Sequence, residues 1–296
     1  MEEESNSNIL ERNFNTISPS AKSLLLMKGH TNIPFAKQTA ELVMLPVKYT
    51  PDFNLKDRTF WARVLHFENR YWSINQLLND LPVKNILELS SGYSFRGLEK
   101  IHEGDYHYID TDLPEMISTK KEFVSALQSN NHNAKGKLEL LPLNALDENS
   151  FKEIVSRFPA GEVAIVNEGL MMYLDNTEKE KLCSIIHKIL MEHGGYWITA
   201  DIYLKNKMDK LDLKINKGTK EFFEQHKIED NKFNSFEDAK LFFNKAGFTV
   251  DKEAHINSSQ LSALKYLRKS ISLFQLFKMS RAGKMQSSWR LKVAKV

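Results

Sequence analysis

The stretch Asn85-Ile86-Leu87-Glu88-Leu89-Ser90-Ser91-Gly92-Tyr93-Ser94 decides the fold of this chain. It is an apolar run that breaks at a turn of small residues. A second stretch, Tyr108-Ile109-Asp110-Thr111-Asp112-Leu113-Pro114, is an apolar run that ends in a carboxylate. A nucleotide-like cofactor needs this pairing, because the backbone approaches it closely at one strand end and an acid binds its ribose hydroxyls at the next. Ser90 and Ser91 stand where glycine is expected, so these stretches alone leave the cofactor open.

Short apolar runs alternate with amphipathic stretches over most of the chain. The runs that we predict as strands cover residues 85–90, 106–111, 138–143, 162–168, 196–201, 248–253 and 287–296. The clearest helix is predicted over 178–192, with a capping box that starts at Thr177 and an end at Gly194 and Gly195. Strands that alternate with helices predict an α/β fold with a mostly parallel, seven-stranded sheet and right-handed crossovers.

We predict a single domain without internal repeats. Its parts are a helical N-terminal region (1–80, of which 1–18 are polar), a cofactor-binding core (84–202), two helical segments that cover a substrate (203–233 and 258–280), and the C-terminal part of the sheet (234–257 and 287–296). Within the N-terminal region, apolar residues recur at three- and four-residue spacing over 20–27 and 58–78, which is typical of amphipathic helices.

Composition narrows the function. The 296 residues include 41 basic and 38 acidic side chains, a balance that argues against nucleic-acid binding. Cys183 is the single cysteine, which excludes an intramolecular disulfide and a cysteine-based metal cluster, and no other metal-site motif is present. No apolar run approaches the roughly 20 residues that span a bilayer. The acidic N-terminus is unlike a signal peptide, so we expect a cytoplasmic protein without membrane contact.

Polar residues at predicted strand ends are the candidates for ligand binding, because ligands of open α/β sheets bind at the carboxyl ends of strands. Asp112 closes the second strand, although it could instead cap the helix that follows. Asn144 follows the third strand and could read an adenine edge or simply form a turn. Glu168 ends an apolar run, so its charge must contact a ligand or a buried cation.

Taken in order, several segments resemble the leucine carboxyl methyltransferase family of class I S-adenosylmethionine (SAM)-dependent enzymes. This family includes the eukaryotic phosphatase methyltransferase and bacterial relatives linked to polyketide O-methylation. The resembling segments are Lys22 with Gly29 and Pro34, residues 58–64, 88–92, 108–114 with Lys120 and Lys121, 144–147 and 168–174. The chain departs from the family pattern where Ser90 replaces a glycine and Asn144 replaces an acid.

The resemblance implies a Rossmann-like class I methyltransferase fold and SAM as cofactor. On this basis, Arg63 with Lys22 holds the methionine carboxylate, and Asp112 binds the ribose. The other implied cofactor contacts are Glu88, Ser90 and Gly92 at the first loop, Asn144 and Ala145 at the adenine, and Glu168 near the ammonium or sulfonium group. No catalytic residue is assigned, and Tyr173 is a candidate substrate contact.

The acceptor of the methyl group decides whether the enzyme needs a base. A carboxylate is ionised at pH 7 and needs none, whereas an alcohol or phenol needs one. His30, His66 and His255 could serve only if the fold brings one of them close. O-methylation of a carboxylate or another oxygen is therefore our prediction, on a small molecule or a protein C-terminus.

Two alternatives remain on the sequence alone. One is a nicotinamide-dependent oxidoreductase on the same type of sheet. It requires a Gly-x-Gly-x-x-Gly turn, which the residues after Leu89 do not supply, and it gives Arg63 and Glu168 no role. The other is a non-catalytic SAM-binding module, for which the serine at position 90 is the one argument.

Overall fold

The computed structural model of the protein describes residues 18–128, 133–205, 217–255, 257–272, 275, 281 and 283–295. The predicted polar tail up to residue 17 lies outside the described residues. So do residues 206–216 of the first predicted cover segment and 273–274 and 276–280 of the second.

Seven strands form one sheet, as the sequence predicts. The strands are β1 (Asn85–Leu89), β2 (His107–Asp112), β3 (Lys137–Pro142), β4 (Val163–Asn167), β5 (Gly195–Tyr203), β6 (Phe248–Glu253) and β7 (Gln286–Val293). Their order is β3-β2-β1-β4-β5-β7-β6. Strands β1 to β5 pair in parallel, and β7 is antiparallel to both β5 and β6. Five parallel strands with an antiparallel pair at one edge are the layout expected of a class I methyltransferase.

Helices cover both faces of the sheet. They are α1 (Ser18–Lys28), α2 (Ala36–Met44), α3 (Arg58–Asn79), α4 (Arg96–Glu103), α5 (Pro114–Gln128), α6 (Glu148–Val155), α7 (Asn176–His193), α8 (Lys217–Gln225), α9 (Phe236–Lys245) and α10 (Leu264–Lys269). All residues of β1 and β4 are buried, because helices pack on both of their faces. This explains why these strands read as continuous apolar runs and lack alternation.

The helix predicted over 178–192 starts earlier than its predicted capping box. Asp175, and not Thr177, is the N-cap: its carboxylate accepts a hydrogen bond from Glu178 N, and the Glu178 carboxylate accepts one from Asp175 N. The prediction of Thr177 was therefore wrong. The backbone is extended at Asp175, which lets that side chain turn back onto the first helical turn.

The long helix α3 connects the sheet to the site. Its C-terminal half contributes Ile74, Leu77 and Leu78 to the core on one sheet face. Its N-terminal half packs Trp61 and Val64 against α10. The middle of the helix thus lies beside the carboxyl ends of the strands, and its polar side chains face the space there.

The described part of the second predicted cover segment, from Ser258 to Ser272, is not one continuous helix. A short 3-10 turn at Ser258–Gln260 precedes the helix α10. Of the first segment, the described part contains α8. The division of the chain into core and cover segments stays a prediction. No helix within the described residues is long and apolar enough to cross a membrane.

Candidate functional site

A cavity of about 1000 Å³ lies at the carboxyl ends of the parallel strands. Its volume is at the upper end of the range for small-molecule sites. It is lined by the loops that follow β1, β2, β3 and β4, by one side of α1 and α3, and by parts of α8 and α10. Because the strands are parallel, residues from distant parts of the sequence meet at this edge.

The loop after β1 forms the floor of the cavity and is held by its neighbours. Ser91 N donates to the carbonyl of Thr111 over 2.9 Å, and Lys120 Nζ donates to the Ser91 hydroxyl over 2.9 Å. Ser90 and Gly92 both have a positive φ, of 48° and 47°. The left-handed conformation costs a non-glycine residue about 1–2 kcal/mol. The serine at position 90 therefore retains the backbone shape that a glycine would adopt without strain.

Asp112 at the end of β2 lies next to this loop. Its Oδ2 accepts a hydrogen bond from Gly92 N and its Oδ1 one from Leu113 N, each over 2.7 Å. Burial raises the pKa of this carboxyl, and the two backbone hydrogen bonds oppose that rise. The side chain keeps part of its surface in the cavity, so its carboxylate can accept further hydrogen bonds from hydroxyl groups.

Arg63 on α3 lines the cavity and is half-buried. Within the part of the chain that the structure describes, its guanidinium has neither a hydrogen bond nor an ion pair. Desolvation lowers the pKa of this group, and no carboxylate compensates for it. A half-buried arginine without an acid partner favours an anionic ligand, since a carboxylate can accept two parallel hydrogen bonds from it.

Glu168 after β4 is paired with cations of the protein itself. Its carboxylate accepts from Lys28 Nζ over 2.8 Å and from Arg96 over 3.0 Å, and Arg70 lies 3.9 Å away. Burial raises the pKa of Glu168, but the three cations outweigh it and hold that pKa well below its usual range. The buried ion pair that the sequence left open as an alternative is thus present. The carboxylate nevertheless lines the cavity.

Arg96 is the centre of this ion-pair network, and the sequence analysis missed it. Its side chain is fully buried, donates to Glu88 over 2.5 Å and to Glu168, and lies 4.5 Å from the Tyr71 ring centre. The Tyr108 hydroxyl donates to the other oxygen of Glu88. Glu88 is therefore also engaged with the protein itself, although it lines the cavity. A sequence signal existed, since a carboxylate inside a buried strand requires a cation nearby.

The predicted lysine lies apart from the other candidates. Lys22 is exposed on α1 and is not among the residues that line the cavity, although its neighbours Ala21 and Ser23 are. Lys28 on the same helix is buried and lines the cavity beside Glu168. Burial lowers the pKa of Lys28, whereas Glu168 raises it. The role assigned to Lys22 stays a prediction.

Asn144 and Ala145 line the cavity after β3. The Asn144 side-chain oxygen accepts from Leu146 N over 3.0 Å, and its carbonyl accepts from Asp147 N. Asn144 thus stabilises the turn, as expected if it is a turn residue. Its side chain is exposed, so its amide nitrogen can still bond to a ligand.

Of the three candidate histidines, the structure brings His66 to the cavity. His66 Nε2 is 2.7 Å from the Tyr203 hydroxyl, and both residues line the cavity, as does Tyr173. His30 contacts Tyr49 in an aromatic cluster outside it. His255 is exposed.

Comparisons with known proteins give similarity in fold only. No protein-family model and no curated protein matches the chain. Among solved structures, it is similar to magnesium protoporphyrin IX methyltransferase from Synechocystis PCC 6803 with bound SAH (TM-score 0.47, 9% identity, 88% of this chain and 95% of that chain covered). It is also similar to mitomycin 7-O-methyltransferase (0.45, 10%, 94% and 67%). A third is geranyl diphosphate C-methyltransferase from Streptomyces coelicolor (0.46, 12%, 79% and 82%). We base no functional argument on similarities at this level.

Proposed function

We propose that the protein is a SAM-dependent methyltransferase of the leucine carboxyl methyltransferase type, which methylates a carboxylate or another oxygen acceptor. One observation carries the proposal: the residues that the sequence predicts to bind the cofactor, all but Lys22, line one cavity. They are Arg63, Glu88, Ser90, Gly92, Asp112, Asn144, Ala145 and Glu168. Apart from Arg63 on α3, they lie at the carboxyl ends of four adjacent parallel strands, so their order along the sheet matches an elongated ligand with chemically different ends.

The residues fit the chemical groups of this cofactor. Arg63 has no acid partner in the described chain and would hold the carboxylate of the methionine part. Asp112 lines the cavity with a carboxylate that would bind the ribose hydroxyls, and Asn144 with Ala145, also in the lining, would frame the adenine. Ser90 and Gly92 bring backbone close to the ligand. Glu168 would face the positively charged ammonium or sulfonium group.

The cofactor supplies a methyl group on a positively charged sulfur that is ready for in-line displacement. The protein then has to position the acceptor and exclude water, and needs no metal for this step. Helix α1 contributes to the exclusion of water, because Ala21, Leu24 and Leu25 close one side of the cavity over the loop after β1.

Calorimetric titration of the protein with SAM, with SAH and with NAD tests the proposal. We expect SAM and SAH to bind and NAD to give no heat. Arg63→Ala should weaken SAM binding by at least tenfold, because a charge-assisted pair at a desolvated site contributes about 1.5–3 kcal/mol. Arg58→Ala on the same helix, away from the cavity wall, is the matched control and should bind SAM as the wild type does.

Binding of NAD without SAM would favour the oxidoreductase alternative. Binding of SAM without methyl transfer to any component of a cell extract would favour the non-catalytic module. Incubation with methyl-labelled SAM and extract, followed by location of the label, separates these outcomes. The same experiment distinguishes a small-molecule acceptor from a protein C-terminus, the two partners that we propose for this enzyme.

A further inference from the structure

The loop after β1 contains a strained residue where it lines the cavity. Ser90 has a φ of 48°, which is in the left-handed region. By itself a serine prefers an ordinary φ, because its Cβ crowds the backbone in the left-handed conformation. Contacts outside Ser90 therefore have to keep the loop in the shape that the structure shows.

Lys120 on α5 supplies such a contact. Its side chain is fully buried, and its Nζ donates a hydrogen bond of 2.9 Å to the hydroxyl of Ser91, 29 residues earlier in the chain. A glycine at position 91 would offer no hydroxyl to this lysine. Because the donor is a charged ammonium group, the hydrogen bond belongs to the stronger, charge-assisted kind. It ties the loop to a helix that starts only after β2.

Asp110 on β2 holds Lys120 in place. Asp110 Oδ2 lies 2.9 Å from Lys120 Nζ, and both side chains are shielded from solvent. The centre of the Phe95 ring lies 5.7 Å from the same Nζ. Moving the ammonium group away would separate two opposite charges in a buried site, which is costly. The donor that Ser91 meets is therefore fixed.

We infer that Lys120 is a positioning residue for the cofactor loop: through the Ser91 hydroxyl, it keeps Ser90 in the left-handed conformation that the ligand meets. The inference rests on the proposed binding of SAM at this loop. Lys120 itself is not among the residues that line the cavity, so it acts through Ser91. Without it the loop relaxes, and the apparent affinity falls with the fraction of molecules that keep the binding-competent shape.

A matched pair of variants at position 91 tests the inference. Threonine and valine have nearly the same branched shape, so the added methyl group affects the packing of both in the same way. Only Ser91→Thr keeps a hydroxyl for Lys120. We expect Ser91→Val to bind SAM and SAH about tenfold more weakly than Ser91→Thr in calorimetry, as loss of a charge-assisted hydrogen bond predicts. Equal affinities of the two variants would overturn the inference.

A second substitution distinguishes positioning from a direct contact between the Ser91 hydroxyl and the ligand. Glycine adopts a positive φ without strain, so Ser90→Gly added to Ser91→Val should raise the SAM affinity about fivefold. In the wild-type background the same substitution should raise it less, because Lys120 already holds the loop there. Absence of this recovery would assign the effect to a direct contact and would overturn the positioning role.

Substitution of the lysine tests the same hydrogen bond from its other end. Lys120→Met should weaken SAM binding about as much as Ser91→Val, and the two together should cost little more than either alone, because both remove one interaction. Lys121→Met is the matched control, since Lys121 is the next residue on α5, is exposed and lies outside the cavity lining. Additive losses in the double variant would contradict the inferred connection.

Circular dichroism identifies the variants that fold. If Lys120→Met fails to fold because Asp110 loses its cation, the Ser91 variants decide the question, since they retain the pair of Lys120 and Asp110. A wild type that binds neither SAM nor SAH would refute the proposed function. A wild type that binds SAM, together with variants that bind it equally well, would overturn the role of Lys120 alone.

Discussion

The imidazole of His66 should make the folded protein lose stability as the pH falls below neutrality. Its pKa is about 3 in the folded state, mainly because of desolvation, against an ordinary value of about 6.5 in the unfolded chain. For a base with a lowered folded pKa, the unfolded state binds the extra proton. Stability therefore declines as the pH falls through about 6.5 and stops declining only near the folded pKa.

The magnitude follows from the distance between pH 5 and the unfolded pKa. At about 1.36 kcal/mol per pKa unit, one and a half units correspond to a loss of about 2 kcal/mol on going from pH 7 to pH 5. The folded pKa lies well below 5, so a folded pKa one unit higher or lower would give nearly the same loss of stability. Carboxyl groups with raised pKa, such as Asp110 and Asp112, act in the opposite direction.

Denaturant unfolding of wild type and His66→Asn at both pH values isolates the contribution of His66. The carboxyl groups are common to both proteins, so their effects cancel in the difference between the two pH dependences. We expect the wild type to lose about 2 kcal/mol more than His66→Asn between pH 7 and pH 5. His255→Asn should behave like the wild type. If wild type and His66→Asn lose the same free energy, His66 is not held neutral by its surroundings, and the reasoning is refuted.

Three further predictions concern the loop, the ion-pair network and the cofactor. Ser90→Gly should raise the free energy of unfolding by about 0.5–1 kcal/mol, because relief of the left-handed strain exceeds the added entropy of the unfolded chain; a decrease in a denaturant titration would contradict the assigned φ. Arg96→Met should cost about 3–5 kcal/mol in the same assay, since Glu88 and Glu168 lose a buried cation; a cost below 1 kcal/mol would show that the network is dispensable. Asp112→Ala should weaken SAM binding in calorimetry by about tenfold or more while circular dichroism stays unchanged, and unaltered affinity would remove Asp112 from the site.

The strands could be predicted because their sequence pattern has a local cause. β1 and β4 are covered on both faces, so most of their residues are apolar, and the runs end where the chain leaves the core. The observed bounds of β1 to β4 differ from the predicted ones by at most one residue at each end. In the described part of the predicted helix over 258–280, a 3-10 turn precedes the six residues of α10, because apolar content alone does not distinguish a helix from a packed turn.

The residues of the candidate site that follow a parallel strand could be predicted from the sequence. Asp112, Asn144 and Glu168 each follow a parallel strand, and the carboxyl ends of such strands meet at one edge. The partners of Glu168 were not predictable. Lys28 is 140 residues away along the chain and Arg96 is 72, so no local pattern reports these contacts.

By itself, the sequence determined the α/β sheet and the line of polar residues along its edge, because both follow from local apolar periodicity and from the direction of parallel strands. Only the tertiary structure decided which charges are already paired and which are left for a ligand. Glu168 is neutralised by cations from α1, α3 and α4, whereas Arg63 on α3 has no acid partner among the described residues. Electrostatic pairing depends on distance in space, and that distance is set only when helices and sheet pack together.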